Sequence, residues 1–362
     1  MAKKIGVLIC DDSALMRRSL KKIIESDAGL HVIGSARDGE DAIVKCRELN
    51  PDVVTMDINM PGMDGLTALQ LIVHEKIAPV LMVSSLTQEG AAATFEALAL
   101  GAFDYVPKPG GTVSGQMASV SRELVLKIKA AAKTGVMSRL ARTNIARAQE
   151  TTAKPAKPAK PAGRLVPTVA VKAGKKVVAL GISTGGPKTL LEILPLMPET
   201  FNAPFFIVQH MPPTFTASFA KRIDGCGPLR CVEAEAGMNV EPGVIYLGRG
   251  GYHLTVYKKP SGTVTLRTPT HPPHTFIPSV EVMMDSVREV YGAGTVGVLM
   301  TGMGDDGANA MVRIKQAGGV TIAESEDTAI VFGMPREAIE RGGADIVVSS
   351  WDIVSEIVKA MK

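Results

Sequence analysis

The stretch "VVALGISTGGPKTLLEIL" (residues 177–194) decides how this chain is read. An apolar run stops at a glycine turn, Ser183 sits at the tip, and leucines at helical spacing follow. Strand, tight turn and helix in that order form one unit of an open α/β sheet. Such a turn can cradle a phosphate, carry a nucleophile or simply change direction. A phosphate-binding loop needs G-x-x-x-x-G-K-[ST], and here Pro187 separates Gly186 from Lys188, removing an N–H and displacing the lysine. The dinucleotide fingerprint G-x-G-x-x-G is absent. G-x-S-x-G does match, from Gly181 to Gly185, and Pro187 suits the first helical position that follows.

Outward from this turn, the chain has 362 residues, enough for two domains. Its apolar and charged fractions are those of a soluble globular protein, and its net charge is only +4. The positive charge is concentrated between Arg139 and Lys176, around the Ala-Lys-Pro repeat "TTAKPAKPAKPAGRLVP" (151–167). Recurrent proline removes backbone donors and favours extended chain, so this segment reads as a basic spacer. The expected organisation is a domain over 1–135, a linker over 136–172 and a second domain over 173–362. The four cysteines form no C-x-x-C pair, which argues against a zinc or dithiol site and suits a reducing cytoplasm. The apolar run after "MAKK" ends at Asp11, too early for a secretory leader, and no stretch is long enough to span a bilayer.

Both halves alternate short Val/Ile/Leu runs with amphipathic segments, the pattern of parallel strands buried on both faces. The runs are "IGVLIC", "LHVIGSA", "PDVVTMD", "PVLMVSS" and "FDYVPKP" in the first half. In the second they include "KVVALGIS", "APFFIVQH", "GVIYLG", "TVGVLMTGM", "GGVTIAES" and "ADIVVSS". "YHLTVYKKPSGTVTLRT" (252–268) breaks the rhythm and reads as an antiparallel hairpin attached to the second sheet.

In the first half, Asp11 and Asp12 follow one strand, Asp57 another, and Lys108 a third. Groups beyond the carboxyl ends of strands in an open α/β sheet converge on one crevice. Carboxylates brought within ~4 Å repel by several kcal/mol at an effective dielectric of ~20, and a divalent cation relieves this. An all-oxygen ligand set suits Mg²⁺. Ser84 adds a hydroxyl and Lys108 an ammonium, which is what a phosphoryl group on Asp57 would need. Asp11 and Asp12 could equally cap the following helix. "LICDDSALMRR", "DVVTMDINMPGMDGL", "PVLMVSSLT" and "GAFDYVPKP" resemble the receiver domain of two-component response regulators over about 1–125. The resemblance implies a flavodoxin-like fold with a five-stranded parallel sheet and Asp57 as phosphoacceptor. It also implies Mg²⁺ held by Asp11, Asp12, Asp57 and the Asn59 carbonyl, Ser84 and Tyr105 as switch residues, and Lys108 contacting the phosphoryl group. The donor would be a histidine kinase.

A serine hydroxyl is a poor nucleophile until a base takes its proton. The histidines of the second half are His210, His253, His271 and His274. His210 ends the run "APFFIVQH", so it shares a strand-end position with Ser183. His253 lies by the hairpin, and "HPPH" (271–274) suits a ligand or surface role equally. An orienting acid comes from a third strand end, in "TVGVLMTGMGDDGANAMVRIKQAGG" (295–319), where Asp305 and Asp306 are both available and one is expected to cap the next helix. Glycines 302 and 304 would let backbone N–H groups approach an oxyanion. The α/β-hydrolase order is Ser, acid, His, and no histidine follows His274, so the scaffold is a different one.

That order, with "GISTGGP", "QHMPPTFTASFAKRI", "MTGMGDDGA" and "VFGMPREAI", resembles the catalytic domain of chemotaxis protein-glutamate methylesterases over about 175–355. The resemblance implies a doubly wound, mostly parallel α/β domain with Ser183 as nucleophile, His210 as base and Asp306 as acid. Thr184 and Met303 fall where that family builds its oxyanion site. It further implies a phosphorylation-activated hydrolase that demethylates glutamate methyl esters and deamidates glutamines on methyl-accepting chemotaxis receptors. The esterase chemistry itself would need no cofactor. The unphosphorylated first domain is expected to cover the active-site face. Two rivals are a non-enzymatic regulator whose second domain only binds a partner, and a hydrolase of small carboxylic esters. No helix-turn-helix is visible, so nucleic acid is not an expected partner, and neither is membrane insertion.

Overall fold

A computed structural model describes residues 4–85, 87–109, 120–133 and 176–362. The chain divides into two compact units, Met1–Leu165 and Val166–Lys362. The linker read over 136–172, with its boundaries at 135 and 173, lies outside the described residues.

The first unit has strands β1 (Ile5–Cys10), β2 (Leu30–Ala36), β3 (Val53–Asp57), β4 (Val80–Ser84) and β5 (Asp104–Pro107). Helices α1 (Ala14–Glu25), α2 (Gly39–Leu49), α3 (Gly65–His74) and α4 (Gln88–Ala99) alternate with them, and residues 120–133 form a further helix, α5. The sheet is parallel throughout, in the order β2-β1-β3-β4-β5, the flavodoxin-like order. β3 and β4 are buried along their whole length, as continuous apolar runs between helical layers require. Neither Asp11 nor Asp12 caps α1: Ser13 does, accepting from the Met16 amide. Asp11 Oδ1 instead accepts the Ser13 N–H at 2.8 Å, which leaves its other oxygen for the crevice.

The second unit contains β6 (Val177–Ile182), α6 (Gly186–Ile193), β7 (Phe205–Gln209), α7 (Pro213–Asp224), β8 (Arg230–Glu233) and β9 (Val244–Leu247). It continues with β10 (Thr255–Lys258), β11 (Val264–Arg267), α8 (Val280–Tyr291), β12 (Thr295–Leu299), α9 (Ala308–Gln316), β13 (Val320–Glu324), α10 (Met334–Glu340), β14 (Ile346–Val348) and α11 (Ile353–Ala360). Seven strands form a parallel sheet in the order β14-β13-β12-β6-β7-β9-β8. β8, "RCVE", is an edge strand of four residues that the apolar pattern does not reveal.

β10 and β11 pair antiparallel as expected, but form a separate two-stranded sheet. Val256 and Leu266 of the hairpin join a core cluster with Met283, Met284 and Val287 of α8, and the Val256 N–H donates to Ser286 Oγ at 3.2 Å. The hairpin thus roofs α8 and is not an extension of the large sheet.

β6 is the central strand of this order, and all of its residues are buried. From β6 the chain moves through β7 to one side, and β12 later returns on the other, so the β6/β12 border is a topological switch point. Ligand crevices open there, beyond the strand carboxyl ends. Gly181 is in register with both Val208 and Leu299, so the three strands end level.

Candidate active site

The turn after β6 is held from the neighbouring strand. The Ser183 N–H donates to the Thr301 carbonyl at 2.8 Å, and the Gly186 N–H donates back to the Ser183 carbonyl at 2.8 Å. Gly185 has φ +76°, a left-handed conformation that a β-carbon would strain. α6 then starts with Pro187 in its first turn. Ser183 is left half-buried at the rim.

His210 follows β7 directly. Its Nδ1 lies 3.1 Å from Ser183 Oγ, and its Nε2 lies 2.8 Å from Asp306 Oδ2. The ring is only 6% exposed. Asp306 comes from the loop after β12 but does not cap α9, whose N-cap is Gly307. Its carboxylate is seated on the first turn of α8 instead. Oδ2 accepts the Val280 N–H at 2.7 Å, while Oδ1 accepts the Ser279 hydroxyl at 2.8 Å and the Glu281 N–H at 3.0 Å. Burial pushes the Asp306 carboxyl up, but His210 and the α8 amides outweigh it and hold it at about 2. The positive end of the α8 dipole acts in the same sense. An ionised Asp306 fixes a proton on Nε2, so Nδ1 presents a lone pair to the serine.

Asp305 points away, paired with Arg341 at 2.7 Å. His253 is fully buried with both nitrogens engaged, by the Pro272 carbonyl and the Ser279 N–H, so it is structural. His271 is exposed, and His274 Nε2 lies 3.7 Å from Asp306 Oδ1. The Thr184 carbonyl accepts from Thr301 Oγ1 at 2.8 Å. Among the described residues, the Thr184 and Met303 N–H groups donate to no other group.

Three side chains that sequence reasoning does not single out complete the site. Gln209 Nε2 donates to the carbonyls of Ser183 and His210, both at 3.0 Å, so one amide joins the two strand ends. Glu324, fully buried, accepts the Thr301 N–H at 2.8 Å, and its carboxyl is raised by burial despite that bond. Phe276 stacks on the His210 ring. The only available signals were Gln209's place next to His210 and Phe276's place in a proline-rich loop.

In the first unit, Asp11, Asp12 and Asp57 each bring a carboxylate oxygen within 4.8 Å of the others. Asp11 and Asp57 are buried and Asp12 is exposed. Lys108 Nζ donates to Asp57 Oδ2 at 2.7 Å and lies 3.4 Å from Asp11 Oδ2, which is buried without a hydrogen bond. Burial raises the Asp11 carboxyl, with Asp57 adding to it and Lys108 opposing. Burial would lower Lys108, but its bond to Asp57 and the charges of Asp57 and Asp11 raise it. An unsatisfied buried oxygen among hard oxygen donors fits Mg²⁺. Asn59 is exposed two residues past Asp57. Ser84 Oγ donates to the Gly90 carbonyl at 3.3 Å and accepts from Thr94 at 2.8 Å. Tyr105 is buried, with Lys127 Nζ 5.1 Å from its ring centre.

A family model described as CheB methylesterase matches residues 178–357, and one described as response regulator receiver domain matches residues 7–114. A protein-glutamate methylesterase/protein-glutamine glutaminase of Syntrophomonas wolfei is 56% identical over 361 residues, covering 99% of both chains. One from Caldanaerobacter subterraneus is 48% identical over 369 residues, covering 99% of this chain and 97% of the relative. The crystal structure of the Thermotoga maritima CheB methylesterase catalytic domain matches with 39% identity and a TM-score of 0.50, over 52% of this chain and 99% of that one. The chain therefore belongs to the protein-glutamate methylesterase/protein-glutamine glutaminase (CheB) family, with a response regulator receiver domain preceding its methylesterase domain.

Proposed function

We propose that this chain is a serine-dependent hydrolase that removes methyl esters from glutamates, and amide nitrogen from glutamines, on the cytoplasmic helices of methyl-accepting chemotaxis receptors. The hydrogen-bonded chain from Ser183 Oγ through both nitrogens of His210 to Asp306 carries this reading. Ser183 Oγ attacks the γ-carbonyl carbon while its proton passes to His210 Nδ1. Asp306 stabilises the imidazolium and keeps the other proton on Nε2. The tetrahedral intermediate expels methoxide, which takes the Nδ1 proton and leaves as methanol. A water then adds to the acyl carbon, giving a proton to Nδ1, and Ser183 leaves with that proton as glutamate is released. With glutamine the departing group is ammonia. The N–H groups of Thr184 and Met303 serve the oxyanion, and one such donor is worth roughly 10²–10³ in rate.

Residues 1–135 form the regulatory unit, 136–172 the linker and 173–362 the hydrolytic unit. A histidine kinase supplies the phosphoryl group to Asp57. Mg²⁺ held by Asp11, Asp12, Asp57 and the Asn59 carbonyl would offset the charge on the transferring phosphoryl oxygens. Lys108 pairs with the same oxygens, Ser84 and Tyr105 respond to the new charge, and hydrolysis accelerates.

The test is methanol release from methylated receptor membranes, ammonia release from glutamine-bearing receptors, and turnover of small carboxylic esters, all on one preparation. The reading expects the receptor reactions to dominate. Efficient turnover of small esters with no methanol from receptors would contradict it.

A further inference from the structure

Two hydrogen bonds fix the Nδ1 and Nε2 edges of the His210 ring but leave it free to rock about the line joining them. Phe276 removes that freedom. Its ring centre is 4.3 Å from that of His210 and the planes are within 12°. The segment carrying it is tied down on both sides. The Phe276 N–H donates to His274 Nδ1 at 3.4 Å, the Ile277 carbonyl accepts from Gly251 at 3.0 Å, and Ser279 bonds Asp306. Phe276 is still 36% exposed, so a core-packing role does not account for it.

The face of an aromatic ring carries negative quadrupole potential and attracts a cation within about 6 Å of its centre. A base that takes the Ser183 proton turns from imidazole to imidazolium as the serine attacks. A flat π-face against it therefore stabilises the state that forms during reaction more than the resting state, the condition for acceleration. We propose that Phe276 is a positioning residue that holds the His210 ring in plane with its two partners and stabilises its protonated form during ester cleavage. This inference rests on the proposed role of His210 as base.

Asp306 also stabilises the imidazolium, through its bond to Nε2, but among the described residues no other charged group presses on the face of the ring. Asp306 bonds the Nε2 edge of the ring, and His274 Nε2 lies 3.7 Å from the far oxygen of Asp306. Asp305 is turned to Arg341, the Glu281 carboxylate to Arg313, and His253 is bonded at both nitrogens.

The experiment is the pH profile of kcat/KM for methanol release from methylated receptor membranes by the full chain, comparing wild type, Phe276→Leu, Phe276→Met, Phe276→Tyr and His210→Gln. Leucine and methionine keep apolar bulk without a π-face. Both are expected to lower the plateau roughly threefold to tenfold and to move the acid limb about half a pH unit toward lower pH, because the imidazolium loses its partner. Tyrosine should restore both. A misfolded fraction lowers the plateau but cannot move the limb. An unmoved limb in the leucine and methionine variants, or a tyrosine variant that behaves like them, overturns the inference. An active His210→Gln enzyme would instead overturn the role of His210 itself.

Discussion

Asp306 Oδ2 lies 2.7 Å from the Val280 N–H, so the carboxylate facing His210 is anchored on the first turn of α8. Asp306→Asn should lower kcat by about 10³–10⁴ without unfolding the protein, because an amide reverses the tautomer preference of the imidazole. Ser279→Ala should cost about tenfold in kcat. It should also cost about 1 kcal/mol in stability, since Ser279 both donates to Asp306 and caps α8. Steady-state kinetics with parallel denaturation curves check both.

The same carboxylate ties stability to pH. Asp306 is held at about 2 against an ordinary 3.8. Its ionisation therefore favours the folded state at every pH above about 4, and that contribution is lost as pH falls from about 4 toward 2. The amount is about 2 kcal/mol. Urea denaturation of wild type and Asp306→Asn across that range should show wild type losing stability more steeply.

Gly181 admits α8 to the sheet. A β-carbon there would meet Val280 Cγ1 at 2.2 Å and Leu299 Cδ1 at 3.0 Å. Gly181→Ala should push the α8 N-terminus outward, loosen the Asp306 seat and lower kcat at least tenfold, with a smaller change in KM. An unchanged kcat would show that the α8 contact does not set the acid's position.

Much of this was legible in the sequence. Ser183 and His210 stand at the ends of buried, mostly apolar runs, and strand ends of one parallel sheet must converge. Asp306 was legible only in part, because spacing cannot separate it from Asp305. What distinguishes them is an α8 turn some 25 residues earlier in the chain, a contact no local pattern encodes. The same reason hides Gln209 and Phe276, whose roles depend on which loops fold together. The apolar pattern hides β8, whose four residues start with an exposed Arg230 and hold few apolar positions. The alternating runs around Pro260-Ser261-Gly262 encode the hairpin, but its apolar face goes to α8, a choice set by packing.

In the receiver unit, Asp57→Asn should abolish hydroxylamine-labile phosphorylation by the kinase, and chelation of divalent ions should do the same to wild type. Lys108→Ala should leave Asp11 and Asp57 without their cation and tighten Mg²⁺ binding, since the ammonium no longer competes at 2.7 Å from Asp57. Binding isotherms with Mg²⁺ alone check the last outcome, and weaker binding would contradict it.

The most direct measurement is methanol release from methylated receptor membranes by the Ser183→Ala chain beside wild type at equal folded concentration. The account predicts a loss of at least about 10³-fold with the fold intact. A rate within a few-fold of wild type would remove Ser183 from the chemistry and contradict the account.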